Sequence, residues 1–180
     1  MSDSIASKVF DIEAVRADTP ACANFIHFNN AGASLAPQPV VEAMIAHLAL
    51  EARIGGYEAQ ALEDGKIENT YDSIARLIGC RRHEIAIIEN ATRAWDMAFY
   101  AMRFSAGDVI LTSTAEYASN FIAYLQVTKK CGAEVRLVPD DGAGQLDVEA
   151  LEGMMDGRVK LIALTHVPTN GGLVNPAAAV

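Results

Sequence analysis

Four short apolar runs, spaced by stretches of helical character, constrain this chain more than any other feature of it. They are Ile85-Ala86-Ile87-Ile88, Val109-Ile110-Leu111-Thr112, Glu134-Val135-Arg136-Leu137-Val138 and Lys160-Leu161-Ile162-Ala163-Leu164-Thr165. Between them the pattern predicts helices over 92–102, 119–131 and 148–155, the second stopped by Gly132. Largely continuous apolar strands that alternate with helices point to a parallel sheet covered on both faces. The expected fold is therefore α/β, in three layers with the sheet in the middle.

Upstream of these runs the rhythm is helical. Pro37 and Pro39 precede Val40, Val41, Met44, Ile45 and Leu48, and the stretch ends at Gly55-Gly56. Proline near the start and glycine past the end mark a helix. A second helix is predicted over 58–78, with Tyr71, Ile74, Leu77 and Ile78 on one face and Gly79 closing it. Residues before Ala23 carry no sustained period. The expected organisation is an N-terminal segment over 1–24, lying on the surface or reaching a neighbouring subunit, and one large-domain part over 25–180. Asn175 followed by Pro176 reads as the N-cap and first residue of a further helix.

Composition narrows the function classes. With 51% hydrophobic residues among 180, the chain can bury a core. The net charge of −9 and the scattered Lys and Arg argue against nucleic acid, which a basic face would serve. No apolar run reaches the ~20 residues of a membrane span. Met1-Ser2-Asp3-Ser4 lacks the basic and apolar regions of a signal peptide, so a cytoplasmic location is expected. Cys22, Cys80 and Cys131 form no CxxC pair, and the four histidines have no metal-binding spacing, so neither a disulfide framework nor a metal site is expected.

Three strand ends carry residues suited to a ligand. Asn90-Ala91-Thr92-Arg93 lies where a strand turns into a helix, whose unpaired N–H groups and positive dipole end suit a phosphate. On this segment alone, plain helix capping is what these residue types usually do. Tyr117, after the next strand, can stack on a flat heteroaromatic ring or pack as an ordinary aromatic. Thr169 and Asn170 can donate to a ring oxygen, and Gly171-Gly172 permits close backbone approach, although Thr-Asn-Gly-Gly is also a common turn. In an open α/β sheet, ligands bind at the carboxyl ends of the strands, where these segments converge.

The order and spacing of these segments, from about Phe28 to Pro176, resemble the class V aminotransferase and cysteine desulfurase family, fold type I enzymes that use pyridoxal 5′-phosphate. The resemblance implies the three-layer large domain of that fold, here incomplete. The family's phosphate-holding turn matches Ala91-Thr92. Its Glu-His (or aromatic) pair, followed by a small residue and Asn, matches Glu116 to Asn120, so Tyr117 falls at the ring-stacking position. Its His-Val-Ser-Asn-x-x-Gly segment matches His166 to Gly172, with Asn-Pro again at Asn175-Pro176. The early Asn29-Asn30-Ala31-Gly32 resembles the family's segment near the amino-acid substrate, which makes Asn30, Ala31 and Gly32 candidate substrate-binding residues. The implied cofactor-binding set is Ala91, Thr92, Arg93, Tyr117, Thr169 and Asn170. Thr169 and Asn170 both remain candidates for the ring hydroxyl. Arg93, where an acidic residue is common, either adds charge near the phosphate or is a solvated helix residue.

The family's pyridine-pairing aspartate and Schiff-base lysine have no counterpart among Lys8, Lys66, Lys129, Lys130 and Lys160 or elsewhere in the chain. No catalytic residue is assigned, and none of the three cysteines inherits a nucleophilic role. The expectation is the N-terminal part of a longer homodimeric enzyme acting on an amino acid, as aminotransferase, desulfurase, C–S lyase or epimerase. Thr-Asn-Gly-Gly in place of Ser-Asn-x-x-Gly leans away from the iron–sulfur desulfurases and towards a lyase or epimerase-like member. Two alternatives stand beside it: a non-catalytic remnant that binds a partner or dimerises, and a Rossmann nucleotide-binding domain. For the latter, Gly142-Ala143-Gly144 lacks the third glycine of the fingerprint. In the family's sheet order, the strand at 85–88 stands apart from the other three.

Overall fold

The computed structural model describes residues 10–169 and 171–180. They form two compact units: one takes the chain up to Phe28 and Ser34–Ala86, the other Asn29–Ala33 and Ile87–Val180.

The first unit is helical. A short helix, α1 (Ile12–Ala17), starts where Asp11 accepts a hydrogen bond from the Ala14 N–H at 3.0 Å. Helix α2 (Gln38–Ile54) opens after Pro37, and α3 (Gly56–Ile78) packs against it, starting two residues before the predicted boundary. Helix α3 ends at Gly79, whose φ of +73° is left-handed backbone that side chains resist, and its N–H returns to the Ala75 carbonyl. Beyond it, Arg82 pairs with Glu68 at 2.5 Å and Asp72 at 3.5 Å and lies over the Tyr71 ring. That clamp fixes the turn Arg82–Glu84 to α3.

The second unit holds the sheet. Its elements are α4 (Ala91–Ala101), β1 (Val109–Thr112), α5 (Ala118–Cys131), β2 (Glu134–Leu137), α6 (Val148–Met154) and β3 (Val159–Ala163). The strands are parallel in the order β2-β1-β3, with Ile110 opposite Val135 and Leu161. All four residues of β1 are fully buried, and they alternate between two cores. Ile110 joins Phe99, Ala123, Tyr124 and Ala163 under α4 and α5. Val109 and Leu111 join Val138, Leu146 and Leu151 on the α6 side. Period-two alternation on a central strand thus produces the helix–sheet–helix layering expected from the sequence. Each of the three apolar side chains contributes roughly 1.5–3 kcal/mol by leaving water.

Two local expectations are corrected. Residues 85–88 stay extended at Ile85 (φ −97°, ψ 130°) but join no ladder among the described residues. Asn175 does not cap a helix. It is 1% exposed, accepts from the Leu146 N–H at 3.0 Å and donates to the Thr165 carbonyl at 2.7 Å. A buried N–H and a strand-end carbonyl are costly to leave unpaired, and satisfying them outweighs starting a helix.

Candidate functional site

The carboxyl end of the sheet is organised by one carboxylate. Glu116 lies between β1 and α5, and five hydrogen bonds reach it. Its Oε1 accepts from the Tyr117 N–H at 2.7 Å, Asn120 Nδ2 at 3.1 Å and the Thr165 hydroxyl at 2.5 Å. Its Oε2 accepts from the Thr112 hydroxyl at 3.0 Å and the Tyr124 hydroxyl at 2.8 Å. The donors come from the end of β1, two turns of α5 and the segment after β3. Burial first, then the Glu116 carboxylate, pushes the Tyr124 phenol well above its ordinary value, so it remains a donor.

Beside this network lies a concavity of about 290 Å³, lined by Thr114, Glu116, Tyr117, Thr165, Pro168 and Thr169 among others. Its size is at the lower end of ligand pockets, roughly 300–1,000 Å³. Tyr117 stands on its rim, 51% exposed, as the N-cap residue of α5. Thr114 is tied back by its hydroxyl to Asp140 at 2.5 Å. Thr169 meets the turn Asn29–Ala33, which belongs to the same unit. A Cβ on Gly32 would stand 2.9 Å from Thr169 Cγ2 and 2.7 Å from Asn29 Nδ2, so only glycine fits there without displacement. The turn is closed by the Gly32 N–H donating to Asn29 Oδ1 at 3.0 Å, and Asn30 and Ala31 are exposed on it.

The first turn of α4 is a separate donor set. Asn90 caps it, accepting from the Arg93 N–H at 2.8 Å. The Ala91 and Thr92 N–H groups, in the first turn, have no acceptor within the helix. Helix α4 packs on α5 through Trp95, which stacks on Phe99 at 4.6 Å and meets the edge of Tyr124 at 5.4 Å. Since α4 leads back into the start of β1, its N-terminus lies at the carboxyl end of the sheet, as that of α5 does. The Arg93 side chain is 62% exposed and reaches Glu89 at 3.7 Å.

The predicted residues therefore divide. Tyr117 and Thr169 line one concavity, and Gly32 abuts Thr169. Ala91, Thr92 and Arg93 do not line it and form the helix start. Asn170 lies outside the described residues. Sequence reasoning quoted Glu116 without giving it a role and passed over Thr112, Thr165 and Tyr124. A usable signal was there: Thr112, Glu116, Asn120 and Tyr124 recur every four residues, and Thr112 ends an otherwise apolar strand.

These residues fit pyridoxal 5′-phosphate. The concavity suits a small ring, an exposed tyrosine borders it, hydroxyls line it, and a helix start with free N–H groups suits a phosphate. Of the chain's lysines, Lys8 lies outside the described residues, and Lys66, Lys129, Lys130 and Lys160 do not line the concavity.

A probable cysteine desulfurase from Pyrococcus abyssi is 30% identical over 168 residues, covering 91% of this chain and 42% of that protein. A cysteine desulfurase from Haloferax volcanii is 26% identical over 205 residues, covering 93% of this chain and 46% of the relative. Among solved structures, a cysteine desulfurase from Escherichia coli superposes with a TM-score of 0.80 at 27% identity, over 95% of this chain and 45% of that one. The apo cysteine desulfurase from Thermococcus onnurineus gives 0.77 at 27% identity, over 93% and 43%. The chain thus spans less than half the length of these relatives. The profile of the family described as aminotransferase class-V matches residues 26–180, and the chain belongs to that pyridoxal-phosphate-dependent family.

Proposed function

We propose that this chain supplies the phosphate cradle and ring platform of a pyridoxal-phosphate enzyme acting on an amino acid. One observation carries the reading: Tyr117, Thr169 and the Gly32 turn meet at the carboxyl ends of β1 and β3. In this reading the Ala91 and Thr92 N–H groups and the Thr92 hydroxyl hold the phosphate, and Arg93 adds positive charge nearby. The Tyr117 ring covers one face of the cofactor, and Thr169 or Asn170 donates to its ring oxygen. Asn30, Ala31 and Gly32 border the amino-acid side. When bound, the cofactor supplies an electron sink for bonds at the substrate's α-carbon. The chain's own residues bind, orient and shield it.

The relatives named as cysteine desulfurases support cysteine or a similar sulfur-bearing amino acid as the substrate, with cleavage of its C–S bond. A homodimer belongs to the same reading and rests on the family resemblance, and a cytoplasmic location is proposed beside it. We assign the covalent step to no lysine of this chain: the family's Schiff-base lysine has no sequence counterpart among Lys8, Lys66, Lys129, Lys130 and Lys160, and no described lysine borders the concavity.

A titration of the 180-residue chain with pyridoxal 5′-phosphate, followed by absorbance and then borohydride, tests this reading. Saturable binding that weakens in Tyr117→Ala, with no single lysine fixed by reduction, is expected. Absence of saturable binding overturns the cradle. Reduction onto one specific lysine overturns the assignment of the covalent step.

A further inference from the structure

We propose that Glu116 is the positioning residue of this site, fixing the Tyr117 platform by hydrogen-bond geometry and not by its charge. The inference rests on the cofactor-platform reading of Tyr117 given above.

The ring of Tyr117 stands on the rim and takes no part in the aromatic cluster of Trp95, Phe99, Phe104 and Tyr124. Packing in that cluster therefore does not fix its direction. The backbone does: Tyr117 is the N-cap residue of α5 in extended conformation, φ −69° and ψ 132°, with no side-chain cap of its own. Its N–H is held at 2.7 Å by Glu116 Oε1. The same oxygen holds Asn120, one turn into α5, and the Thr165 hydroxyl, 49 residues away in sequence. Glu116 thus ties the platform residue to the helix it starts and to the strand end that leads to Thr169.

Its two oxygens differ in what they require. Every partner of Oε2 is a hydroxyl, which can accept as well as donate, and the Tyr124 and Thr112 hydroxyls also lie within reach of each other. Besides the Thr165 hydroxyl, Oε1 faces a backbone N–H and an amide NH2, which only donate. A glutamine at this position can keep its carbonyl towards Tyr117 and Asn120 and turn its NH2 towards the two hydroxyls. Glu116→Gln therefore preserves the platform, whereas Glu116→Ala releases it.

The test measures pyridoxal 5′-phosphate affinity of the full chain in a double-mutant cycle, together with exchange of the Tyr117 amide proton by NMR. Glu116→Ala is expected to weaken binding about tenfold when Tyr117 is present, the effect of one hydrogen bond. In the Tyr117→Ala background the same change should have less than about a twofold effect, because the platform is already gone. Glu116→Gln should stay within about threefold of the parent and keep the Tyr117 amide slow to exchange, while Glu116→Ala makes it fast. Lost stability alone lowers the melting temperature in both backgrounds and creates no coupling. Should Glu116→Ala fail to fold, Thr165→Val removes one donor with its shape kept, and a weakening that disappears in Tyr117→Ala is expected.

Equal weakening in both backgrounds, or a Tyr117 amide indifferent to Glu116→Ala, overturns the proposal. So does a Glu116→Gln variant as impaired as the alanine, since charge would then be what matters. If the parent chain binds no pyridoxal 5′-phosphate, the cradle reading fails, and amide exchange still decides whether Glu116 holds Tyr117.

Discussion

Replacing Tyr124 by phenylalanine removes one hydroxyl from the Glu116 network and leaves the surrounding packing in place. Tyr124 is fully buried, 5.3 Å from Phe99 and 5.4 Å from Trp95 between ring centroids, and phenylalanine keeps those contacts. What goes is a 2.8 Å hydrogen bond onto a carboxylate that retains four other donors. Hydrogen bonds to charged groups contribute about 1.5–3 kcal/mol, and with the acceptor still well served the lower end applies. At pH 8, Tyr124→Phe should cost about 1.5 kcal/mol, which lowers the urea midpoint by roughly 0.5–1.5 M for slopes of about 1–3 kcal/mol per M. The gap should depend on pH in a defined direction. The folded phenol titrates well above its ordinary 10.0, because burial and Glu116 disfavour the phenolate. Below that ordinary value both states carry the proton and the contribution is complete. Above it the unfolded chain loses the proton first, so the parent loses stability and the phenylalanine variant does not. By pH 10.5 the gap should narrow by about 0.8 kcal/mol, while the remaining tyrosines titrate alike in both proteins and cancel. Urea unfolding at pH 8, 9.5 and 10.5 measures it. A variant as stable as the parent at pH 8, or a gap that does not narrow, refutes the network as described.

Two further substitutions probe other parts of the same unit. Gly32→Ala places a Cβ 2.9 Å from Thr169 Cγ2 and against the Asn29 side chain that closes its turn. It should cost about 1 kcal/mol or more by overpacking and weaken pyridoxal 5′-phosphate binding, and unchanged binding would disconnect that turn from the site. Asn175→Ala leaves the buried Leu146 N–H and the Thr165 carbonyl without their partner, an expected loss of about 2–4 kcal/mol by urea unfolding. A loss below about 0.5 kcal/mol would mean that solvent replaces the bracket.

The layering was legible in the sequence because it depends on short-range pattern. Val109 to Thr112 read as a strand and is one, and Gly79 and Gly132 stop the helices they were expected to stop. The run at 85–88 carries the same β-branched signal yet joins no ladder, because strand composition does not say whether a partner is present. Asn175-Pro176 has the composition of a helix start, but its side chain is claimed by groups 29 and 10 residues away in the chain. The site was legible in part for the same reason. Tyr117 and Thr169 are visible as loop residues after strands, and their shared concavity depends on the adjacency of β1 and β3. Glu116 was the hardest to value: its four-residue spacing from Thr112 and Asn120 is a signal, but its importance lies in donors converging from three segments, one of them at Thr165 far along the chain.

The Glu116 network also sets an order of events for folding. Its bonds to Thr112, Asn120 and Tyr124 close over 4 to 8 residues, whereas the bond to Thr165 closes over 49. Short loops close at lower entropic cost and faster than long ones. The turn carrying Tyr117 can therefore take shape with α5 alone, as a local nucleus on the end of β1. The Thr165 clasp waits until β3 has docked in register beside β1. The concavity is thus completed by a contact that needs β1 and β3 in register, and mutations in β3 should disturb it even where they leave the α5 turn intact.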